Sequence, residues 1–436
     1  MLGRGAVPRY VLPDTATVSP GGVLSVGGVD LVSLAEVMDT PLFVYDEDHL
    51  RARCREAVAA FGDGVAYGSK AFLCLAMARL ANEEGMHVDV ATGGELHVAL
   101  SAGVPPARIV VHGNNKSEDE LFRAHQLGIK VVVDSFDEIR RLEALHAEDG
   151  RPTRVMVRVT PGVEAHTHEY VMTGQVDSKF GFGLASGDAA LAVARIAGSP
   201  AFDLVGVHAH IGSQIFLLHS FEKAIEVLAD FVAPLGLPEL CLGGGLGVAY
   251  VDGEEAPTIT EWAKVLQEAC LAAGIGSRIT AEPGRAIAAA AGLTLYRVGT
   301  VKDVPGVRTY VAVDGGMSDN PRPVLYGSGY EAFLPRATDS PRPRTVTVVG
   351  KHCESGDVIV RDAQVPADLA VGDVLCTPVT GAYGHSMASN YNKVPRPAVV
   401  FVRRGQARVV VRRETLDDLL GLDASDGGGP PSEPPP

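Results

Sequence analysis

Short apolar runs alternate with longer amphipathic segments between residues 65 and 284. Eight runs rich in Val, Ile and Leu have the length of buried strands. They cover residues 65–70, 87–92, 108–113, 130–135, 154–159, 203–210, 239–245 and 278–284. Apolar residues spaced by three and four predict helices between them, at 71–85, 93–103, 117–128, 136–147, 186–198, 218–235 and 260–274. Because apolar strands alternate with helices, the pattern predicts a parallel sheet covered by helices.

Eight strand–helix units in one stretch predict a (β/α)8 barrel of the TIM type. A doubly wound open sheet is the alternative, since it has the same alternation of strands and helices. That fold needs a glycine-rich nucleotide turn after its first strand, and the residues there, Lys70, Ala71 and Phe72, include no glycine. Ser117 and Glu120 have the spacing of a helix capping box, which supports the helix predicted at 117–128.

After residue 290 the helical period disappears and short alternating strands follow one another, which predicts a second domain of the β-barrel or sandwich type. The segment 401–411 has the pattern of a hairpin around Gly405. Residues 21–38 show the same short-strand pattern. We therefore expect an N-terminal segment at 1–40 that joins the β domain, a barrel at 41–290, a β domain at 291–420 and a disordered tail at 421–436.

Polar side chains stand at the carboxyl ends of the predicted strands, where a barrel builds its active site. They are Lys70, Asp89, His112, Asp134, Arg158, His210, the glycines at 243–245, and Glu282. A lysine at a strand end is most often a solvent-exposed cation. A partly desolvated lysine at the rim of a sheet instead loses its proton readily and can form a Schiff base.

Two segments near the last strands suggest what such a lysine would work with. The glycine-rich run at 243–247 would let backbone N–H groups approach a phosphate, although it is equally compatible with a plain turn. Glu282 begins the sequence Glu-Pro-Gly-Arg. A carboxylate at a barrel mouth can hold a pyridine nitrogen protonated, as pyridoxal 5'-phosphate (PLP) chemistry requires. The alternative is a structural pair between Glu282 and Arg285.

Histidine pairs allow a different chemistry. His208 and His210 end the sixth strand with their side chains on the same side, and His-x-His is also a metal-ligand pattern. A second such pair lies at 166–168, and Asp89 and Asp134 could add carboxylates. A metal-dependent barrel hydrolase is therefore a competing hypothesis. No further His–carboxylate set completes a metal site with obvious spacing, so we expect no metal.

Cys353 and Glu354 lie in a polar loop, 350–357, between two strands of the predicted β domain. A carboxylate beside a thiol raises the thiol pKa, and a protonated thiol suits a proton donor. A polar turn without chemistry is the alternative.

Composition narrows the classes of partner and compartment. A net charge of -15 argues against a nucleic-acid or anionic membrane surface, because both need clustered Lys and Arg. No apolar run reaches the length of about 18 residues that a membrane span needs. Six cysteines without a CxxC spacing indicate reduced thiols in a cytoplasmic protein.

Several motifs, taken together, resemble the diaminopimelate decarboxylases. These are PLP-dependent enzymes of the alanine-racemase-like (fold type III) group, whose relatives are the ornithine and arginine decarboxylases. The motifs lie at 111–117, 166–183, 208–214, 243–247, 282–285, 314–326, 350–357 and 380–392. The resemblance covers roughly residues 20 to 415. One departure is Gly68, two residues before the lysine, where the family usually has alanine; it leaves the packing of the first strand open.

The resemblance implies an activity. We expect the chain to decarboxylate meso-2,6-diaminopimelate to L-lysine and CO2, the last step of lysine biosynthesis, with PLP as cofactor. A decarboxylase of another basic amino acid, of the D-ornithine/lysine or arginine type, is the close alternative.

The resemblance also implies roles for residues. Catalysis is assigned to Lys70, His210, Cys353 and Glu354. Cofactor binding is assigned to Lys70, Asp89, His210, Ser213, Gly243, Gly244, Gly245, Glu282, Gly284, Arg285 and Tyr383. Substrate binding is assigned to Arg285, Arg322, Tyr326, Glu354 and Tyr383. The resemblance further implies a homodimer with shared active sites, in which Cys353 and Glu354 reach the active site of the second subunit, and a loop at 166–183 that closes over the site.

Overall fold

The computed structural model describes residues 7–162 and 177–424. Most of the loop expected at 166–183, including His166 and His168, lies outside these residues. So does all but the first four residues of the tail expected at 421–436.

A small sheet and a helix begin the described chain. They are β1 (Thr17–Val18), β2 (Leu24–Val26), β3 (Val29–Asp30) and α1 (Leu31–Met38), and β4 (Leu42–Asp46) and α2 (Glu47–Phe61) follow. Strands β1, β2 and β3 form an antiparallel sheet of their own. This sheet lies against the C-terminal part of the chain, because the Gly405 N–H donates to the Gly27 carbonyl.

The next segment alternates strand and helix. Its elements are β5 (Ala66–Gly68), α3 (Leu75–Glu83), β6 (His87–Val90), α4 (Gly93–Ser101), β7 (Ile109–Val111), α5 (Glu118–Leu127), β8 (Lys130–Val133), α6 (Phe136–Asp149), β9 (Thr153–Thr160), β10 (Phe182–Gly183), α7 (Asp188–Ala197), β11 (Phe202–Ala209), α8 (His219–Val232), β12 (Glu239–Cys241), α9 (Ile259–Ala272), β13 (Arg278–Thr280) and α10 (Arg285–Ala288). Each of the eight predicted strands and seven predicted helices has its counterpart here.

The parallel strands close into a barrel. Their order is β13-β12-β11-β9-β8-β7-β6-β5, with β10 paired to the end of β9. The two edges meet, because the Ala66 N–H donates to the Ala281 carbonyl (3.0 Å) and the Gly68 N–H donates to the Pro283 carbonyl (3.2 Å). The predicted (β/α)8 barrel is therefore confirmed, and the open doubly wound sheet is excluded.

Local sequence signals explain why the helices begin and end where they do. The Ser117 side chain and Glu120 form the predicted capping box at the start of α5. Gly128 ends α5 in the left-handed conformation, with φ of 66°, which glycine adopts without steric cost. Among the helices in the described parts of the chain, none is long and apolar enough to cross a bilayer.

The C-terminal part forms a mixed sheet. Its elements are β14 (Gly292–Val304), β15 (Arg308–Val313), α11 (Arg322–Tyr326), β16 (Arg344–Val349), β17 (Val358–Val365), β18 (Val374–Pro378), β19 (Ala398–Arg403) and β20 (Gln406–Val411). The strand order is β17-β16-β15-β14-β4-β19-β20, and β18 also pairs with β14. The predicted second β domain is confirmed, and β19 and β20 form the expected hairpin around Gly405.

The structure differs from the sequence predictions at the N-terminal boundary. Residues 31–38 form helix α1 rather than a short strand, because the Asp30 side chain accepts from the Val32 and Ser33 N–H groups and so caps a helix. Strand β4 falls within the range 41–290 predicted for the barrel. Its five residues are all buried, and it lies between β14 and β19 of the mixed sheet.

The β domain holds the turn that follows the first barrel strand. The Tyr383 N–H and the Ser386 hydroxyl both donate to the Ala71 carbonyl, at 2.8 and 2.9 Å. Tyr45 of β4 stacks on Phe72 with ring centroids 4.4 Å apart. Its hydroxyl donates to the Gly381 carbonyl at 2.9 Å. The backbone around Lys70 is therefore fixed by both domains.

A buried ion pair lies at the opposite end of the barrel. Lys130 and Glu239 are the first residues of β8 and β12, and Lys130 Nζ lies 2.7 Å from Glu239 Oε1. Arg278 of β13 contacts the second Glu239 oxygen at 3.0 Å. The Lys130 and Glu239 side chains are 9% and 3% exposed, so each depends on the other to offset the cost of burying a charge.

We predict that Glu239→Leu destabilises the protein by about 3–5 kcal/mol, because the Lys130 ammonium would stay buried without its carboxylate. Urea unfolding followed by circular dichroism measures the change. The matched control is the double variant Lys130→Met/Glu239→Leu, which removes both charges and should be more stable than the single variant. A single variant as stable as the wild type would show that the pair is not required.

Candidate active site

A cavity of about 700 Å³ opens at the carboxyl ends of the barrel strands, beneath the β domain. Most of the residues predicted to form the site line it. These are Lys70, Asp89, His210, Ser213, Gly244, Gly245, Glu282, Gly284, Arg285, Arg322, Tyr326 and Tyr383. The fold therefore brings together, in one cavity, residues that lie far apart in the sequence.

Lys70 does not end a strand as predicted. Strand β5 stops at Gly68, and Lys70 lies in the single 3-10 turn that follows, residues 69–71. Lys70 is exposed on this chain and lines the cavity. Because β5 ends two residues before Lys70, the lysine lies outside the packed sheet and lines the cavity.

Close packing explains the glycine at position 68, where the family usually has alanine. Gly68 lies against the segment that contains Glu282, and a Cβ atom on Gly68 would come within 3.2 Å of the Glu282 carbonyl. The facing glycine, Gly284, is tighter still, because its Cβ would lie 2.6 Å from the Gly68 carbonyl. Small residues on both sides let the first strand and the last segment approach each other next to Lys70.

Glu282 is held between two histidines. Its Oε1 lies 2.9 Å from His112 Nε2, and its Oε2 accepts from His208 Nε2 at 3.1 Å. The two imidazole rings pack edge to face, with centroids 4.9 Å apart. Asp89 Oδ1 lies 3.7 Å from His112 Nε2. All four side chains come from the carboxyl ends of different strands, and the Glu282 side chain is only 9% exposed.

The electrostatics of this cluster favour a negative charge on Glu282. Burial acts to raise the Glu282 pKa, but His112 and His208 hold the pKa well below its ordinary value. Burial lowers the His208 pKa to about 4, so His208 is a neutral donor at neutral pH. Burial also acts to lower the His112 pKa, but Asp89 and Glu282 raise it above its ordinary value. Burial raises the Asp89 pKa to about 6.

His210 presents a neutral ring to the cavity. Burial, together with the neighbouring Lys70 and Arg158, holds the His210 pKa well below its ordinary value. Its Nδ1 accepts from the Gly244 N–H at 3.1 Å, so that N–H is already engaged by a side chain. Gly243 is not among the residues that line the cavity. It packs against His210, since a Cβ on Gly243 would lie 2.6 Å from His210 Nδ1. Its role at a cofactor stays a prediction.

Two arginines lie in the wall of the cavity beneath the β domain. Arg285 donates to the Tyr250 hydroxyl at 2.6 Å and to the Ser213 hydroxyl at 2.8 Å. Its Nε is buried with no acceptor among the described residues. Arg322 donates to the Tyr330 hydroxyl at 2.9 Å and to the Ser328 hydroxyl at 3.0 Å.

Both guanidinium groups are held by neutral partners. Their hydrogen bonds within the described residues go to hydroxyl groups, and neither forms an ion pair there with a carboxylate. The Tyr383 ring lies near both cations, 4.7 Å from Arg285 and 5.9 Å from Arg322. Two buried cations that lack a carboxylate partner in the described part of the chain make a wall that suits anionic groups of a ligand.

Sequence reasoning missed several of these residues. It placed His112 and Arg158 at strand ends but gave them no role, and it weighed His208 only as a metal ligand. Tyr250 and Ser328, which position the two arginines, carried no signal in the sequence. The one usable clue was the position of His112 at a barrel strand end, where barrels build their active sites. Its contact with Glu282 could not be predicted, because that contact depends on barrel closure.

The structure gives the metal hypothesis a different ligand set from the predicted one. Within the described residues, His112, His208 and Glu282 could hold a metal ion, with ligand atoms all within 4.8 Å of one another. The expected His208–His210 pair does not converge in this way, since His210 Nδ1 accepts from the Gly244 N–H. Asp134 does not line the cavity, and its side chain accepts from the Gly181 N–H.

Cys353 and Glu354 do not reach this cavity. Both are exposed, and neither is among the residues that line it. They lie on a loop of the β domain, between β16 and β17.

The residues present fit PLP. Lys70 offers an amine to its aldehyde, Glu282 offers an ionised carboxylate to its pyridine nitrogen, and His210 offers a neutral flat ring. Space for a phosphate lies beside Gly244 and Gly245, since both line the cavity without side chains. The buried Nε of Arg285, which has no acceptor among the described residues, adds a donor for an anionic group in the same wall.

Comparison with known proteins gives a consistent result. The family model for the pyridoxal binding domain of pyridoxal-dependent decarboxylases matches residues 47–289. The diaminopimelate decarboxylase of Mycobacterium tuberculosis is 49% identical, over 95% of this chain and 97% of that protein. The diaminopimelate decarboxylase of Bacillus subtilis is 46% identical, over 94% of this chain and 98% of that protein.

Solved structures with the same fold include diaminopimelate decarboxylases. The enzyme of M. jannaschii in complex with L-lysine has a TM-score of 0.88 and 32% identity, covering 95% of this chain and 98% of that chain. The enzyme of Helicobacter pylori in complex with L-lysine has a TM-score of 0.82 and 32% identity, and the match covers 90% of this chain and 98% of that chain. A lysine/ornithine decarboxylase of Vibrio vulnificus, at 22% identity and a TM-score of 0.73, shows likeness of fold alone.

We predict that Gly244→Ala weakens PLP binding about 10- to 100-fold, because the added Cβ would lie 2.5 Å from the Glu282 carbonyl and would displace that residue. Fluorescence titration of PLP-depleted protein measures the dissociation constant. Gly276→Ala is the matched control, since a Cβ there meets no atom within 4 Å. Equal PLP affinity in the two variants would contradict the proposed placement of the cofactor.

Proposed function

Because the chain belongs to the diaminopimelate decarboxylases, within the pyridoxal-dependent decarboxylases, we propose how its cavity carries out their reaction. The chain removes CO2 from meso-2,6-diaminopimelate and produces L-lysine, the last step of lysine biosynthesis. The observation that carries the proposed roles is that Lys70, Glu282 and two arginines, neither of which pairs with a carboxylate among the described residues, share one cavity.

Glu282 is the residue that holds the pyridine end of the cofactor. PLP, when bound, supplies an electron sink for the pair of electrons that the departing CO2 leaves behind. The low pKa of Glu282 lets its carboxylate accept a hydrogen bond from a protonated pyridine nitrogen. His112 and His208 hold that carboxylate from both sides, so it needs little reorientation.

Arg285 and Arg322 are proposed to bind the two carboxylates of the substrate. Diaminopimelate carries an amino-acid group at each end, whereas lysine, ornithine and arginine carry only one carboxylate. A wall with two guanidinium groups favours the first class of substrate, because a buried cation left without its anion costs binding energy. Both arginines are already oriented by tyrosine and serine hydroxyl groups, which limits the ordering that binding requires.

We further propose a homodimer in which each subunit completes the cavity of the other. Cys353 then supplies the proton that replaces CO2 at Cα, and Glu354 binds the distal ammonium group. The support is that both side chains are exposed on one chain and lie outside its own cavity. We place the enzyme in the cytoplasm, since its six cysteines are free thiols.

We predict strong selectivity for the substrate with two carboxylates. CO2 release from meso-diaminopimelate should exceed release from lysine, ornithine or arginine by about 10⁴-fold in kcat/KM. Parallel assays with radiolabelled carboxyl groups measure the ratio. Comparable turnover of ornithine or lysine would instead support a decarboxylase of another basic amino acid.

We predict that Lys70→Ala abolishes turnover and the visible absorption band of the bound cofactor, because Lys70 is the one lysine among the described residues that line the cavity. Absorption spectra and CO2 release are both recorded. Lys302→Ala is the control, since Lys302 is exposed on β14, and it should behave like the wild type. Undiminished turnover in Lys70→Ala would contradict the proposed mechanism.

We predict that Glu282→Gln lowers kcat by about 100-fold or more while PLP remains bound, because an amide does not stabilise a protonated pyridine nitrogen as a carboxylate does. Turnover is compared with the PLP content of the same sample. Glu268→Gln, on the exposed face of α9, is the control. Wild-type kcat in Glu282→Gln would remove the electron-sink role from this residue.

A further inference from the structure

The loop that carries Cys353 and Glu354 has an exposed tip and a buried base. Residues 353–356 are exposed, whereas His352 and Asp357 on either side of them are buried. His352 Nδ1 lies 2.7 Å from Asp357 Oδ2, and the two side chains are 0% and 2% exposed. Because an ionised carboxylate only accepts hydrogen bonds, the ring Nδ1–H of His352 is the donor. This side-chain pair closes the loop beneath its tip.

Asp357 is bound by the backbone on several sides. Its Oδ1 accepts from the backbone N–H of Met317 at 2.7 Å. Its Oδ2 also accepts from the backbone N–H of His352 at 2.9 Å. The loop packs closely around it, since a Cβ on Gly350 would lie 2.2 Å from Asp357 Oδ2. The carboxylate therefore joins the Cys353 loop to the neighbouring segment 314–320.

A second segment supports the same loop from the other side. The Tyr391 ring stacks on His352, with centroids 5.6 Å apart and planes 13° apart. The Asn392 side-chain oxygen accepts from the Cys353 N–H at 3.1 Å. The backbone of Cys353 is thus held directly, while its side chain extends into solvent on this chain.

We propose that the His352–Asp357 pair is a positioning device that holds the Cys353 thiol and the Glu354 carboxylate where the cavity of a second subunit can use them. The inference rests on the proposed function, in which these two side chains complete that cavity. His352 and Asp357 touch neither substrate nor cofactor in this arrangement. They act through the loop.

A purely structural role is the alternative, and the two roles predict different measurements. A structural pair would change stability and leave the chemistry of Cys353 unaltered. A positioning pair must change proton donation, because a displacement of about 1 Å in a reacting group can cost about 100-fold in rate. It should leave PLP binding in the barrel unchanged, since Lys70 and Glu282 lie on other elements.

The variants His352→Leu and His352→Asn separate the two roles in the full-length holoenzyme. Leucine removes the N–H donor, whereas the asparagine amide can donate to Asp357 Oδ2 from a similar position. We expect His352→Leu to lower kcat about 100-fold with normal PLP content, and His352→Asn to recover at least a tenth of wild-type kcat. Equal kcat in the wild type and His352→Leu would overturn the proposal.

His125 provides a matched control. It also pairs with an aspartate, its Nε2 lying 3.1 Å from Asp149, and its side chain is 1% exposed, but it lies on α5 away from the cavity. His125→Leu should lower the unfolding temperature and leave kcat within about twofold of the wild type. If His125→Leu and His352→Leu lower kcat equally, loss of a buried histidine pair explains both results and the proposal fails.

A double-mutant cycle with Cys353→Ala tests whether His352 acts through the loop. We expect His352→Leu to cost much less in the Cys353→Ala background than in the wild type, since the thiol to be positioned is already absent. The same fold-loss in both backgrounds would overturn the proposal, because His352 would then act independently of Cys353.

Alkylation of Cys353 by iodoacetamide gives a readout that does not depend on turnover, and it works even if a variant is inactive. Cys353 is the exposed cysteine of the six. We expect saturating L-lysine to slow its alkylation in the wild type and to protect it much less in His352→Leu. Equal protection would contradict the inference. Absence of CO2 release from diaminopimelate by the wild type would instead remove the proposed function itself.

Discussion

The site depends on the hydrogen bonds that join the first barrel strand to the segment after the last one. Ala66 and Gly68 donate to the Ala281 and Pro283 carbonyls, and the facing glycines permit that approach. This contact places Lys70 beside Glu282, although the two are separated by most of the barrel sequence. Parallel strands all end at the same face, so one closure also brings His112 and His208 to Glu282.

The β domain contributes more than a cover. Its Tyr383 and Ser386 hold the Ala71 carbonyl, and Arg322 stands at the start of α11. The barrel supplies Lys70 and Glu282, and the β domain supplies Arg322, the second cation of the cavity wall. Strand β4, from the N-terminal part of the chain, lies between β14 and β19 of the C-terminal sheet and so ties the two domains together.

The architecture could be predicted from the sequence because its signals are local. Strand and helix periods, the Ser117–Glu120 capping box and the Gly405 hairpin all appear within a few residues. The contacts of His112 and His208 with Glu282 could not be predicted in this way, since they depend on the ends of three strands lying close together. The place of β4 was missed because a short apolar strand pairs equally well with either sheet. The exposure of Lys70 depends on where β5 stops, and a strand boundary has only a weak sequence signal.

Lys70 is the residue to which we propose that PLP is attached in this cavity. Borohydride reduction fixes a linkage between PLP and a lysine amine, and mass spectrometry of the digested protein then identifies the modified peptide. We expect a single pyridoxyl group, on the peptide that contains Lys70. A modification on any other lysine, or an unmodified protein that still releases CO2 from diaminopimelate, would contradict it.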